Sequence, residues 1–321
     1  MDCLWLSHGI SIEKHSLHDC CLLRGPKMDG NPFIMDLDEN NMVDWDTFFE
    51  KKRTLKGKKI HADADCKGCK ELYSTVTDYD FWEKEEFISF INFNHWNICN
   101  SNCIYCTKEY NGGDKHFNVL PLIKSLASYK DGSYFRKSGV FTFQGGEATM
   151  LPEFEELFDF ILKYSFDKIR IHSSGIKYSN AIARALKEDK TTIIVSPDSA
   201  IKETYEKIKR VKAFDLVWNN LKEYASFQKC SDNVKVKFII IPEVNDNKTE
   251  IDAFLNKLKE IKVNNVIWDV ESQYSARNQY KLPYICELLD YALDEAQKLN
   301  IVTEYYDSAT YILRNRKNLS R

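Results

Sequence analysis

From residue 86 onward, short apolar runs alternate with longer segments in which apolar residues recur every three to four positions. The short runs predict strands and the periodic segments predict helices, because side chains alternate along a strand but share one helix face at that spacing. The predicted strands are residues 87–93, 139–143, 168–171, 191–195, 234–241 and 265–270. The predicted helices are residues 120–128, 152–164, 180–188, 201–227, 249–261 and 284–299.

This alternation of strands and helices predicts an α/β fold, with a parallel sheet covered by helices. Six such units are enough for a partial (β/α)6, TIM-like barrel. Residues 1–80 differ, because their periodicity is weak and they hold five of the ten cysteines. We therefore expect a small cysteine-rich module over 1–80, a barrel domain over 81–300 and a C-terminal extension over 301–321.

Composition narrows the class of protein. The chain has 43% hydrophobic residues, 29% charged residues and a net charge of −3, which argues against a nonspecific nucleic-acid binder. Its apolar runs are far shorter than the roughly 18 residues of a membrane span. The start MDCLWLSHGI lacks the basic region of a secretory signal. We expect a cytoplasmic protein.

The cysteines are clustered, and in a reducing compartment clustering at ligand spacing favours metal binding over disulfides. Cys230 and Cys286 stand apart within helical patterns, and we expect both to be buried small hydrophobic residues. The grouped cysteines are Cys3, Cys20, Cys21, Cys66, Cys69, Cys99, Cys103 and Cys106.

Cys99, Cys103 and Cys106 form a C-x3-C-x2-C motif directly after the first predicted strand, with Tyr105 before the last cysteine. Three thiolates this close in a loop suit three corners of a [4Fe-4S] cluster, and no fourth cysteine follows at a ferredoxin-like spacing. One iron would then stay open for a substrate or cofactor. The alternative is a structural zinc site or a chance grouping of reduced cysteines.

A second motif, Gly145-Gly146-Glu147, ends the second predicted strand. Glycines allow the backbone to approach a ligand closely, and an acidic side chain beside them suits an ammonium group. Together with the cysteine motif, this element resembles the radical S-adenosylmethionine (radical SAM) superfamily. The resemblance implies the partial barrel, and it implies that Tyr105, Gly145, Gly146 and Glu147 lie at the SAM site, with the Gly-Gly-Glu element at the SAM amino group.

The resemblance also implies roles for polar residues at later strand ends. Ser173, followed by Ser174 and Gly175, takes the place of a turn that contacts ribose. Ser196 and Asp198 look like the family's Ser-x-Asp element near SAM or substrate, although capping of the next helix is an equal alternative. The turn with Asn245 and Asp246 after the fifth strand also looks family-like, although a role in starting the next helix is at least as good an interpretation.

The family's cofactors are a [4Fe-4S] cluster and SAM, and a flavodoxin or ferredoxin is the expected reductant. The N-terminal cysteines resemble a SPASM or twitch module, which implies a second, auxiliary [4Fe-4S] cluster. In better-known members this module follows the barrel, whereas here it precedes it. A zinc ribbon remains an alternative, Cys21 competes with Cys20, and His8 and His18 also remain candidates. The assigned auxiliary ligands are Cys3, Cys20, Cys66 and Cys69.

The substrate is less constrained than the cofactors. Candidate pocket residues at or near strand ends are Gln144, His172, Lys235, Lys237, Asp269 and Glu271, although Asp269 and a strand lysine equally suit a structural pair. The first hypothesis is an enzyme acting on a peptide or peptide-linked substrate. The second is an enzyme acting on a sugar, nucleotide or other small molecule. The third, a non-catalytic iron–sulfur carrier, has no need of the Gly-Gly-Glu element.

Overall fold

The computed structural model describes residues 8–18, 33–57, 87–106, 112–113, 117–164, 168–230, 232–271 and 282–319. Cys3, Cys20, Cys21, Cys66 and Cys69 lie outside the described residues. The strands are β1 Gly9–Ile12, β2 Ser16–His18, β3 Phe33–Asp36, β4 Ile88–Phe93, β5 Phe135–Phe143, β6 Lys168–Ser173, β7 Thr191–Val195, β8 Val234–Ile240, β9 Asn265–Val270 and β10 Val302–Tyr305. The helices are α1 Trp45–Gly57, α2 Leu120–Ser128, α3 Phe154–Leu162, α4 Asn180–Lys187, α5 Lys202–Lys209, α6 Phe214–Phe227, α7 Lys248–Glu260, α8 Leu282–Lys298 and α9 Asp307–Leu319.

The contacts divide the chain into two compact units. The first unit comprises Met1–Ile98 and Gly112–Arg170, and the second comprises Cys99–Asn111 and Ile171–Arg321. The boundary at Arg170 falls inside β6. The α/β prediction is confirmed, because parallel strands alternate with helices along the chain and β4 to β9 correspond to the six predicted strands.

In the first unit the strand order is β6–β5–β4–β1–β2–β3. Strand β4 pairs in parallel with β5 on one side and with β1 on the other, while β1–β2 and β2–β3 are antiparallel. Strand β1 therefore forms part of the sheet that carries β4. Its residues explain this position, since Ile10 and Ile12 are fully buried.

Aromatic packing holds the first unit together. The ring centroid of Phe93 lies 4.7 Å from that of Phe143, which in turn lies 5.6 Å from that of Phe154 in α3. Helix α1 buries Phe48 and Phe49, and the indole nitrogen of Trp45 donates a hydrogen bond of 2.9 Å to Ser125 Oγ in α2. This aromatic core therefore holds the C-terminal ends of β4 and β5 against α3.

In the second unit the strand order is β10–β9–β8–β7–β6, and the pairs β7–β8, β8–β9 and β9–β10 are parallel. Alternate residues of β8 point to opposite sides. Val236, Phe238 and Ile240 are buried, and the Phe238 ring packs 4.8 Å from Phe254 of α7. The other side of β8 carries Lys235 and Lys237, so this side of the sheet has room for polar chemistry.

The single helix predicted over residues 201–227 is two helices in the structure. Helix α5 ends at Lys209, Arg210 adopts a left-handed conformation with φ of 53°, and α6 begins at Phe214. The last carbonyl groups of a helix have no partner within it. Those of Ile208 and Lys209 accept hydrogen bonds from another loop, and this tertiary contact accompanies the break.

Candidate functional site

The Gly-Gly-Glu turn of the first unit is fastened to the segment that follows β4. The Gly146 nitrogen donates to Trp96 O at 2.7 Å, and the Glu147 nitrogen donates to Ile98 O at 2.8 Å. A Cβ on Gly146 would lie 2.4 Å from Ile98 O, and Gly145 has φ of +91°. Both glycines are therefore required by the close approach and by the backbone conformation.

Glu147 is buried in this turn. Its Oε1 accepts hydrogen bonds from the Thr149 nitrogen at 3.2 Å and from Thr149 Oγ1 at 2.7 Å, so that the carboxylate caps the short 3-10 turn Ala148–Met150. A carboxylate offers about four acceptor positions on its two oxygens. Capping and acceptance of a ligand's ammonium group are therefore compatible roles for this side chain.

The cysteine loop belongs to the second unit, where Cys99, Cys103 and Cys106 are partly exposed and form no disulfide. Ser101 Oγ lies 3.3 Å from Cys99 Sγ and 3.5 Å from Cys103 Sγ, and the Cys106 nitrogen donates to Cys103 O at 3.1 Å. The sequence analysis did not single out Ser101. Its hydroxyl contacts two of the three sulfurs that were predicted as ligands.

The donor set of this loop, three thiols at C-x3-C-x2-C spacing, suits an iron–sulfur cluster with one open iron. Structural zinc needs four ligands that converge on one ion. Within the part of the chain that the structure describes, no three His, Cys, Asp or Glu side chains converge in that way. A cubane binds each cysteine to a separate iron, so its sulfurs need not meet at one point.

The partly buried Tyr105 of the cysteine loop joins the buried Asp198 and Lys209 in a polar group. Tyr105 Oη donates to Asp198 Oδ2 at 2.6 Å, and Lys209 Nζ donates to Tyr105 Oη at 2.7 Å. Lys209 also forms an ion pair with Asp198 Oδ2, and both of these side chains are buried. Hereafter we call these three residues the buried triad.

Charge and burial act together in the triad. Burial acts to lower the pKa of Lys209, but Asp198 and Cys103 together outweigh it, so that the pKa of Lys209 is raised. Burial also raises the pKa of the Tyr105 hydroxyl well above its usual value, and Asp198 adds to the rise. The triad is therefore an ammonium–carboxylate pair joined by a neutral phenol.

Asp198 also organises the ends of neighbouring strands. Its Oδ1 accepts from the Ile239 nitrogen at 2.9 Å, and its carbonyl oxygen accepts from Asn245 Nδ2 at 2.7 Å. Asn245 Oδ1 accepts from the Ile241 nitrogen at 2.6 Å, which gives a buried role to the turn that was noted in the sequence. The predicted Ser-x-Asp element thus contains a fully enclosed aspartate, whereas Ser196 is partly buried after β7.

The end of α5 holds the cysteine loop through its backbone. The Asn102 nitrogen donates to Lys209 O at 3.0 Å, and the Ile104 nitrogen donates to Ile208 O at 3.0 Å. Ile104 and Tyr105 also pack against the buried side chains of Ile208, Ile239 and Ile241. Lys209 could not have been found from the sequence, where it occupies an ordinary position in a helical pattern.

The predicted serine turn lies beside the same loop. Ser174 Oγ donates to Asn100 Oδ1 at 2.8 Å, and Ser173 Oγ accepts from the Gly175 nitrogen at 3.0 Å. Gly175 has φ of +74°, and a Cβ there would lie 2.7 Å from Val195 Cγ1. Within the second unit, the structure therefore brings the third strand end and the cysteine loop together.

Other cysteine and histidine candidates have different surroundings. His8 is buried and stacks on Phe87 at a centroid distance of 4.3 Å, and a His18 ring nitrogen lies 2.8 Å from Ser16 Oγ. Cys286 is buried as predicted. The prediction for Cys230 was wrong, because this residue is exposed in the turn that follows α6.

The sequence matches the Radical SAM superfamily over residues 93–258, which is more than half of the 321 residues. The chain belongs to this superfamily. The family implies a [4Fe-4S] cluster and SAM, and the match begins just before the cysteine motif. No curated protein matches the chain. No helix in the described ranges is long and apolar enough to cross a membrane.

Several solved structures share the fold. SuiB of Streptococcus suis bound to its precursor peptide SuiA matches with a TM-score of 0.55 and 12% identity, over 91% of this chain and 60% of SuiB. SuiB bound to S-adenosylmethionine gives a TM-score of 0.52 and 13% identity, over 83% of this chain and 57% of SuiB. The structure of anSMEcpe with bound AdoMet and Kp18Cys peptide matches with a TM-score of 0.50 and 17% identity, over 67% of this chain and 63% of anSMEcpe.

The chain thus spans about three fifths of the length of these solved structures. At such low identity the likeness shows the fold alone, which is the partial TIM-like barrel predicted from the strand–helix alternation.

Proposed function

We propose that the chain is a radical SAM enzyme that cleaves SAM reductively and removes a hydrogen atom from a peptide or peptide-linked substrate. The observation that carries this proposal is the cysteine loop itself. Its three partly exposed cysteines are supported from beneath by the buried triad and by the end of α5. A loop that is held by its own backbone and side-chain hydrogen bonds suits a cofactor whose position decides the chemistry.

In this proposal Cys99, Cys103 and Cys106 ligate three irons of the cluster. When bound, the reduced cluster supplies the electron that splits SAM into methionine and a 5′-deoxyadenosyl radical, the species that abstracts hydrogen from the substrate. Glu147 accepts a hydrogen bond from the SAM amino group while it continues to cap its own turn. Ser173 contributes to a polar turn for the ribose, and a flavodoxin or ferredoxin delivers the electron.

A peptide is the substrate class that we favour. SuiB is matched in a complex with its precursor peptide, and anSMEcpe is matched with a bound peptide. A sugar, nucleotide or other small molecule is the second hypothesis, and the test is which compound raises SAM cleavage above its uncoupled rate. We also infer an auxiliary [4Fe-4S] cluster on Cys3, Cys20, Cys66 and Cys69, from their sequence pattern alone.

The proposal is tested by Cys103→Ala. A cluster that has lost one of three protein ligands should not retain its iron, so we expect formation of 5′-deoxyadenosine to fall to background. The measurement is 5′-deoxyadenosine produced by anaerobically reconstituted protein with SAM and dithionite.

Cys230→Ala is the matched control, because that cysteine is exposed and lies outside the motif. It should behave as the unchanged protein does. Full activity of the Cys103→Ala variant would end the radical SAM interpretation. Absence of 5′-deoxyadenosine from the reconstituted, unchanged protein would favour a non-catalytic iron–sulfur protein.

A further inference from the structure

The two strand lysines of the second unit lie on the same face of β8 but differ in their surroundings. Lys235 Nζ forms ion pairs with Asp232 at 2.8 Å and with Glu304 at 2.5 Å. Lys237 Nζ forms no hydrogen bond or ion pair with any residue in the described ranges, and it lies over the Tyr306 ring, 5.2 Å from Nζ to the centroid. Lys237 is therefore a cation without a contacting anion.

The electrostatic consequences follow this difference. Desolvation acts to lower the pKa of both lysines, but the hydrogen bonds of Lys235 to Asp232 and Glu304 raise its pKa overall. For Lys237 desolvation prevails, and its pKa is lowered despite the more distant charges of Asp269 and Asp198. The protein thus confines a lysine at a position where its own residues do not compensate the ammonium charge.

Neither of these carboxylates is arranged as the partner of Lys237. Asp198 is occupied by Lys209 and Tyr105, and it also accepts from the Ile239 backbone. Asp269 Oδ1 accepts from the Val270 nitrogen at 2.9 Å. The pair of Asp269 with a strand lysine, which was one interpretation of the sequence, is not formed with Lys237.

The same face of β8 also carries the cysteine loop. Ile239 is two residues beyond Lys237 and thus on its side of the strand, and it packs with Ile104 and Tyr105. His172, at the end of β6, lies 6.3 Å from the Tyr306 ring between centroids. Lys237 is consequently grouped with aromatic and titratable side chains on the face of the sheet where the proposed cluster binds.

We propose that Lys237 binds a carboxylate group of the substrate. This inference rests on the proposed function, and it deepens it by naming a group that the substrate carries. A partly buried ammonium group without a partner is unfavourable, and a carboxylate from the ligand supplies the missing charge-assisted hydrogen bond. In a peptide, the carboxylate belongs either to an acidic side chain or to the C-terminus.

The experiment uses the reconstituted holoenzyme with SAM under anaerobic conditions and three fluorescent pentapeptides. One is capped at both ends with a central glutamate, one is its glutamine counterpart, and one is all alanine with a free C-terminal carboxylate. Dissociation constants are measured by fluorescence anisotropy. Because a hydrogen bond to a charged group contributes about 1.5–3 kcal/mol, a carboxylate peptide should bind roughly tenfold or more tightly than the glutamine peptide.

The variants assign this preference to one side chain. Lys237→Met should abolish it and should fold normally, because it replaces an unpaired cation with an apolar chain of similar length. Lys235→Met is the matched control on the same strand face and should retain the preference. Which carboxylate peptide binds tightly distinguishes the side-chain source from the C-terminal source.

Equal binding of all three peptides to the unchanged enzyme would overturn the proposal, and so would a preference that survives in Lys237→Met. A loss of SAM affinity in Lys237→Met as large as the loss of peptide affinity would assign Lys237 to the SAM carboxylate instead. Cleavage of SAM by the unchanged enzyme is measured in parallel. Its presence keeps the proposed function intact even if the lysine inference fails.

Discussion

At the scale of single residues, Asp198 connects the cysteine loop to α5 and to β8. It is fully buried, it forms the ion pair with Lys209, and it accepts a hydrogen bond from Tyr105 in the cysteine loop. Tyr105 belongs to the C-x3-C-x2-C motif, so the aromatic residue of the motif is anchored through its hydroxyl group. The loop is thereby held by a hydrogen bond to a residue that is 93 positions away in the sequence.

We predict that Asp198→Asn lowers the free energy of unfolding of the apoprotein by about 3 kcal/mol or more, because it leaves a buried ammonium group without its counter-ion. Lys209→Met combined with Asp198→Asn should cost less than the sum of the two single changes. Anaerobic urea denaturation of the two single variants and the double variant measures this coupling.

Lys202→Met provides a control on α5, the helix that also carries Lys209. Lys202 pairs with Asp215 at 2.9 Å on an exposed surface. That change should leave the free energy of unfolding nearly unchanged, because solvent screens an exposed ion pair. If Asp198→Asn were as mild as Lys202→Met, the buried triad would not be what supports the loop.

At the scale of elements, one short feature in each unit is held by backbone hydrogen bonds. The Gly145–Glu147 turn is fastened to the chain after β4 by two backbone hydrogen bonds. The last turn of α5 offers its carbonyl groups to Asn102 and Ile104 of the cysteine loop. In both cases backbone groups make the hydrogen bonds. The pattern of side chains in the sequence therefore does not predict these contacts.

We predict that Gly146→Ala lowers the free energy of unfolding by about 2 kcal/mol, within the range of overpacking, because its Cβ would lie 2.4 Å from Ile98 O. Backbone atoms on both sides of this contact leave little room for relaxation. The same variant should bind SAM more weakly, since the turn must move, and equilibrium dialysis with the reconstituted protein measures this.

Gly113→Ala is the comparison, because Gly113 has φ of +76° but nothing within 4 Å of its would-be Cβ. It should cost only the conformational strain, about 1 kcal/mol, and leave SAM affinity unchanged. Equal effects of the two alanines on SAM affinity would show that crowding at Gly146 is irrelevant to the cofactor.

At the scale of the whole molecule, the number of clusters decides which kind of radical SAM enzyme this is. The described residues of the second unit contain one candidate cluster loop. The proposed auxiliary ligands, Cys3, Cys20, Cys66 and Cys69, lie outside the described residues and depend on their sequence pattern. The number of irons per chain tests whether these cysteines bind a cluster, without any structural assumption.

We predict that the protein with Ala at Cys99, Cys103 and Cys106 together retains about four irons per chain after anaerobic reconstitution, the content of one cubane. The measurement is iron, sulfide and zinc per protein. If the variant contained zinc, or no metal at all, residues 1–80 would be a structural module. The protein would then be a single-cluster enzyme.

Much of the fold followed from the sequence. The apolar runs predicted β4 to β9, with β7 and β9 at the bounds that the structure gives, because the buried strands of a parallel sheet leave a continuous apolar signal. The edge strand β10 was missed, since its residues are partly or fully exposed. The parallel pairing of β1 with β4 was missed too, because a register between distant segments has no local signature.

The sequence by itself determined the C-x3-C-x2-C motif, the Gly-Gly-Glu turn and the superfamily, because covalent spacing and the conformational demands of glycine are local properties. Only the tertiary structure decided how Asp198 is used, that α5 ends at Lys209, and that Lys235 is paired while Lys237 is not. Hydrogen bonds and ion pairs between distant segments depend on the packing that brings them together. Two lysines in one alternating pattern therefore have the same sequence signal and different electrostatic environments.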